Sequence, residues 1–173
     1  MEKLIVGLLL ILSVLSITGC NKQREVVESK PASVTYTGYI TKITTDRILV
    51  ASERKMTGSE MYDAMWLGVS DRSLAIGQRV KATLDGDIDS SYPGVGSASS
   101  VVVVPIPIVS EAKLRPEQAL AQAIASKSEL QVPIVTKIVY DASTEKWEIG
   151  LLDGLAPDPH EEIVIINEEK AGG

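Results

Sequence analysis

The sequence predicts a mainly β protein with one clear helix, arranged as a small five-stranded barrel followed by an α-β-β-β antiparallel unit. Two observations carry this. Between Val34 and Val104 short alternating apolar segments recur between turn-forming residues, the pattern of successive strands. From Pro116 the apolar period changes from two to the helical one for a single alanine-rich segment and then returns to alternation.

Val34 to Thr44 alternates through Tyr36 and Ile40, and Gly38 predicts a bulge or sharp bend. Thr45-Asp46 turns the chain into Arg47 to Ser52, where Ile48 and Val50 face one way. Glu53 to Asp63, with Gly58 and scattered charges, reads as a loop or one ragged helical turn. Ala64 to Ser70 returns to strand, and Arg79 to Leu84 alternates cleanly, with Val80, Ala82 and Leu84 opposed to Arg79, Lys81 and Thr83. Asp85 to Gly96 is rich in turn formers. Ser97 to Val104 makes a fifth strand, which Pro105 and Pro107 end because proline cannot donate to a ladder.

Pro116 suits a first helical position, Glu117 the positive end of the helix dipole and Lys127 the negative end. A helix from Pro116 to about Lys127 places Leu120, Ala123, Ile124 and Lys127 on one face. Strands Ile134 to Tyr140, Trp147 to Leu151 and Glu162 to Ile166 follow, joined by a turn at Asp141 to Thr144 and a loop from Asp153 to His160. The resulting division is 34–108 for the barrel and 112–170 for the α-β-β-β unit.

The chain has 173 residues, a net charge of −6, no Phe, two Trp and five Tyr, so its core must come from Val, Ile, Leu and Ala. From Cys20 to Ser110 acidic and basic side chains balance at ten each, while Glu111 to Gly173 holds twelve acidic and six basic. Such a surface repels phosphate backbones, so nucleic acid is not an expected partner.

Met1-Glu2-Lys3 precedes an apolar run from Leu4, which closes on Ile17-Thr18-Gly19 before the single cysteine, Cys20. A membrane-spanning helix needs roughly 20 apolar residues, and here the polar run Asn21 to Glu25 follows at once. The segment is similar to bacterial lipoprotein signals, and its final residues form a lipobox. That resemblance implies a signal peptide over 1–19, cleavage before Cys20, and acylation of its thiol with diacylglycerol carrying chains such as palmitate. The expected location is the outer face of the cytoplasmic membrane, with the bilayer as a partner through Cys20. Residues 20–33, polar and interrupted by Pro31, read as a lipidated tether.

Five strands within about 70 residues, the first long and bent at a glycine, resemble an OB-fold. Its usual helix between the third and fourth strands would be reduced to Asp71 to Gly77. Within that stretch Tyr36-Thr37-Gly38-Tyr39-Ile40, Arg47-Ile48-Leu49-Val50, Met65-Trp66-Leu67, Ile76 to Lys81, Asp85-Gly86 and Ser91-Tyr92-Pro93 occur in that order. Together they resemble domain of unknown function 3221 over about residues 34 to 104, a family that implies no activity. The second half is similar to a PepSY-type module in its alanine-rich helix, Asp141, Trp147 and Asp153-Gly154. Asn167-Glu168-Glu169 stands where that module has an acidic, glycine-bearing finish.

Asp85, Asp87 and Asp89 are spaced as the first ligands of a calcium loop, but Ser90 and Gly96 stand where such a loop needs Gly and a bidentate Glu. An acidic turn, with no metal, is the expectation. His160 is the only histidine and follows Pro157-Asp158-Pro159, so neither zinc ligation nor a serine triad is supported. Glu161-Glu162 and Glu168-Glu169 read as a solvated face and tail. No Gly-rich phosphate loop precedes a helix, so no cofactor is expected. Tyr39, Trp66, Tyr92 and Pro93 are the candidate binding residues, with Tyr92-Pro93 at a barrel-mouth loop.

The sequence therefore predicts a membrane-anchored, extracytoplasmic, non-catalytic binding module for a protein, peptide or envelope component. The alternatives are a PepSY-like modulator of an extracellular peptidase and a carboxylate-dependent envelope hydrolase.

Overall fold

The computed structural model describes residues 34–168. The segment 1–19 read as a signal peptide, and Cys20 with the stretch to residue 33 read as a tether, lie outside the described residues, as does 169–173.

Strands β1 (Thr35–Ile43), β2 (Arg47–Lys55), β3 (Tyr62–Gly68), β4 (Arg79–Asp89) and β5 (Gly94–Val103) close a barrel in the order β1-β2-β3-β5-β4. Neighbours run antiparallel except β3 and β5, which are parallel. This is the OB-like barrel expected from the strand spacing. Closure leaves no long unpaired edge to template aggregation. Inside it pack Tyr36, Ile40, Ile48, Val50, Met65, Leu67, Val80 and Ala82, one alternate set of residues from each of the first four strands.

Several boundaries differ from the sequence pattern, each for a physical reason. Lys55 pairs with Tyr62, so β2 runs into the stretch expected to be loop and only a short turn remains, in which Met56 N–H donates to Met61 O at 2.8 Å. β4 continues through the aspartates expected to form a turn: Asp85 pairs with Ser97 and Asp89 with Val95. These positions are exposed on the strand, so no apolar alternation is needed to hold them there. The register shift in β1 lies between Ile40 and Lys42 and not at Gly38. Gly38 is required by proximity instead: a Cβ there would lie 2.1 Å from the Ala51 carbonyl oxygen. The segment from Asp71 to Gly77 forms no helix. At its end Gly77, at φ +89°, lies against the helix described next, and a Cβ there would be 2.2 Å from the Glu117 carbonyl oxygen.

Helix α1 (Pro116–Ser126) precedes β6 (Pro133–Asp141), β7 (Lys146–Asp153) and β8 (Glu162–Asn167), an antiparallel sheet in the order β6-β7-β8. Pro116 opens the helix, and the Gln118 side-chain carbonyl accepts the Arg115 N–H at 2.9 Å, satisfying one of the donors a helix start leaves free. Ala119, Leu120, Ala123 and Ile124 are buried against Val135, Trp147, Ile149, Leu151 and Ile166. A bulge between Val135 and Lys137 changes which face of β6 its residues meet. Val135, Ile138 and Tyr140 thus join the cluster around α1, while Ile134 joins the barrel side.

Glu168, expected to lie on a solvated tail, is only 6 % exposed. Its carboxylate accepts the N–H groups of Lys113 and Leu114 at 2.8 and 3.0 Å and the Tyr140 hydroxyl at 3.1 Å. Burial pushes its pKa up, but these donors outweigh that and hold it below the ordinary Glu value. The stability it contributes is therefore full above the unfolded-state pKa and is lost as pH falls through the lowered folded value.

The described residues, 34–168, fall within one compact unit. Leu49, Ala51 and Ala64 of the barrel are buried with Val132 and Ile134 of the second part, and Tyr39 and Ile106 join the cluster around α1. Strand β2 is consequently apolar on both faces, Ile48 and Val50 inward and Leu49 and Ala51 toward β6.

Gly38→Ala should lower stability by about 2 kcal/mol, because backbone rather than a pliable side chain blocks the new methyl. Gly96→Ala, where the nearest atoms lie at 3.7 Å, should change it by less than about 0.5 kcal/mol. Urea unfolding of both variants checks the contrast.

Candidate functional site

A cleft of about 610 Å³ lies where the barrel meets the second sheet. From the barrel it takes Lys55, Glu60, Met61, Tyr62 and Tyr92; from the second part come Thr136, Leu152, Gly154, Ala156, Pro157, Pro159 and Glu161. The β2–β3 turn stands as one wall because Gly58 adopts φ +75° at its tip. The other wall is the loop after β7, held at its root by Asp153. The Asp153 carboxylate accepts N–H groups from Gln131 at 2.8 Å, Val132 at 2.9 Å and Leu155 at 3.0 Å. Burial raises its pKa, but those three donors leave it below the usual Asp value, so the anchor is ionised at neutral pH.

Gly154 sets the depth of the cleft. A Cβ on it would lie 2.2 Å from the Tyr92 hydroxyl oxygen and 3.2 Å from Ile134 and Val132 carbons, so only glycine lets the Tyr92 ring lie this close. The Tyr92 hydroxyl is buried and has no hydrogen-bond partner among the described residues. Its pKa is raised by burial first, then by Asp63 and Asp153.

The polar groups on the rim are already paired. Lys55 bonds Glu60 and lies 5.9 Å from the Tyr62 ring centroid, and the Thr136 hydroxyl donates to Glu161. The Lys55–Glu60 pair raises the amine and lowers the carboxyl. Aromatic, proline and methionine surface between fixed charged groups suits an extended, partly apolar segment. Among the described residues, neither histidine nor cysteine lines this cleft.

The sequence-derived candidates are spread over different environments. Tyr92 lines the cleft, and Pro93 is half-buried in the connection between β4 and β5. Trp66 is half-buried against Leu49, Ala51, Ala64, Val132 and Ile134. Tyr39 is buried in the cluster around α1, where burial and the nearby Glu53 push its phenol well above the usual tyrosine range. Cys20 lies outside the described residues. His160 is exposed, with Nε2 3.8 Å from Glu162 and Nδ1 3.4 Å from the Asp158 carbonyl oxygen. Asp89 accepts the Ser91 N–H at 3.0 Å, bracing the start of the short connection. Tyr62, Met61, Leu152, Pro157 and Pro159 were not singled out in the sequence, because their partners come from distant segments. The pair Pro157 and Pro159, stiffening a loop, was the one local signal available.

The family model described as protein of unknown function (DUF3221) matches residues 37–105. The barrel segment is similar to DUF3221. That span runs from β1 to just past β5, so the DUF3221 barrel supplies Tyr62, Tyr92 and the β2–β3 wall, while the second wall lies beyond it. No curated protein and no solved structure matches the chain.

Tyr92→Phe should leave stability unchanged or raise it by up to about 1 kcal/mol, because it removes a buried hydroxyl that lacks a partner. Tyr92→Ala should lower stability by about 2 kcal/mol through lost packing on Gly154 and Leu152. Thermal unfolding of the two variants tests this. A Phe variant as damaged as the Ala variant would show that the hydroxyl has a partner.

Proposed function

We propose that this chain is a lipid-anchored, extracytoplasmic, non-catalytic binding module, and that the cleft between the DUF3221 barrel and the second sheet receives an extended peptide segment of an envelope protein. The observation that carries this reading is the lining of the cleft: Met61, Tyr62, Tyr92, Leu152, Pro157 and Pro159 offer apolar contact, between the Lys55–Glu60 and Thr136–Glu161 pairs. Preformed polar pairs lower the ordering cost of binding and leave backbone-like acceptors for a peptide. The lipobox at Ile17 to Cys20 supports the anchor, since two acyl chains hold a protein to a bilayer where one is marginal. A modulator of an extracellular peptidase is the alternative suggested by the α-β-β-β unit.

Cys20→Ser should abolish lipid labelling and release the chain from the membrane fraction; a labelled variant contradicts the anchor. For the cleft, a photo-crosslinking residue at Met61 should capture a partner in intact cells, and Tyr62→Ala should reduce that capture at least tenfold. The same residue placed at exposed Ile108, away from the cleft, should not capture it. Equal capture at both sites rejects the cleft. Inhibition of an envelope peptidase without turnover favours the modulator reading, and turnover lost in Glu60→Gln or Glu161→Gln establishes an enzyme.

A further inference from the structure

The second sheet has two edges, and they differ. Strand β6 is covered where Ile134 is buried with the barrel residues Leu49, Ala51 and Ala64, and beyond that its line is broken by the bulge between Val135 and Lys137. A bulge and a lysine are two of the devices that keep an edge strand from pairing with another chain. Strand β8 has neither. It pairs with β7 from Glu162 to Asn167 without a register shift, and its far side meets no strand among the described residues. Its sequence, Glu162-Ile163-Val164-Ile165-Ile166-Asn167, holds four β-branched apolar residues in a row.

Both faces of this strand are apolar. Ile166 is buried in the cluster around α1 and Val164 packs against it, whereas Ile163 and Ile165, on the opposite face, are 44 % and 45 % exposed. Val139, also 45 % exposed, shares that face, because it pairs with Glu148 and Glu148 pairs with Ile165. The Lys137–Glu148 ion pair joins β6 to β7. The side chains that β8 adds to the open face are Ile163, Ile165 and Asn167, none of them charged.

We propose that β8 pairs antiparallel with β8 of a second copy of this chain, joining two three-stranded sheets into one about a twofold axis at Val164. Such an axis passes between a residue and its own copy, because directly opposite residues exchange places. An axis at Val164 sets Ile163 opposite Ile165 of the second copy, Glu162 opposite Ile166 and Glu161 opposite Asn167, so no like charges meet. Shifted to Ile165, the axis would set Glu162 against Glu168; shifted to Ile163, it would set Glu161 against Ile165 and leave Asn167 beyond the paired residues. Like charges directly opposite destabilise a strand pair, and β-branched pairs stabilise it. The Val164 register also satisfies the unpaired N–H and C=O groups of both edges and runs the exposed isoleucines of the two copies into one row.

The test is disulfide crosslinking of the full chain in intact cells, with the parent chain, whose one cysteine is Cys20, as background. Directly opposite Cα atoms in an antiparallel pair lie about 4.5–5.5 Å apart, within the roughly 4.4–6.8 Å that a disulfide spans. Oxidation with copper phenanthroline should therefore convert Val164→Cys to a dimer of twice the chain mass. Ile163→Cys or Ile165→Cys alone should give less than about a tenth of that yield, since each lies about 8 Å from its own copy. Expressed together, those two variants should crosslink to each other. Val139→Cys, equally exposed but on β6, should give background only. The proposal is overturned if neither Val164→Cys nor the mixed pair crosslinks, the result expected where a different peptide strand occupies β8. It is also overturned if Ile163→Cys or Ile165→Cys alone crosslinks as fully as Val164→Cys. Far-ultraviolet circular dichroism of the purified variants checks their fold, and the mixed pair, made at exposed positions, decides the matter even where Val164→Cys disturbs packing on α1. Ile163, Val164 and Ile165 do not line the peptide cleft, so either result leaves that reading untouched.

Discussion

Strand β2 is the constraint on which the rest depends. Its Ile48 and Val50 complete the barrel interior, while Leu49 and Ala51, on the opposite face, are buried with Val132 and Ile134. A strand apolar on both faces cannot sit at the surface of an isolated barrel without exposing one row of side chains. The second sheet therefore covers a surface that the barrel has already made apolar, and each fully buried aliphatic side chain contributes about 1.5–3 kcal/mol to keeping it there. The cleft follows from that placement, formed where β6 and the loop after β7 meet the β2–β3 turn.

Much of this architecture was legible because burial imposes period. The alternation of Val80, Ala82 and Leu84, the helix opening at Pro116, and the strand around Trp147, Ile149 and Leu151 all appear where the pattern places them. Legibility failed where strands leave the core. Asp85 to Asp89 belongs to β4 through backbone pairing alone, and an exposed strand end of aspartates looks like a turn to any periodicity argument. Glu168 was misread for the opposite reason: an acidic residue near the end of the sequence reads as solvated, and only the fold brings the Lys113 and Leu114 N–H groups to it. Gly38 was recognised as special, but through a bulge when the cause is the approach of the Ala51 carbonyl.

The sites were less legible than the fold. Tyr92, which lines the candidate cleft, is a candidate from sequence because it sits in a short connection with Pro93, a local signal. Its neighbour Gly154 is 62 positions away in sequence, and no pattern within either segment announces the pairing. Binding surfaces made by distant strands are set by topology, which composition and spacing constrain only loosely.

The central claim, that the DUF3221 barrel and the α-β-β-β unit share one core, is tested most directly by the two tryptophans. Trp66 reports on the barrel and Trp147 on the sheet beneath α1. In Trp66→Phe and in Trp147→Phe, the remaining tryptophan's fluorescence should unfold in urea at the same midpoint as far-ultraviolet circular dichroism, as a single cooperative unit requires. A fluorescence midpoint that separates from the circular dichroism midpoint in either variant, one part melting while the other stays folded, would contradict it.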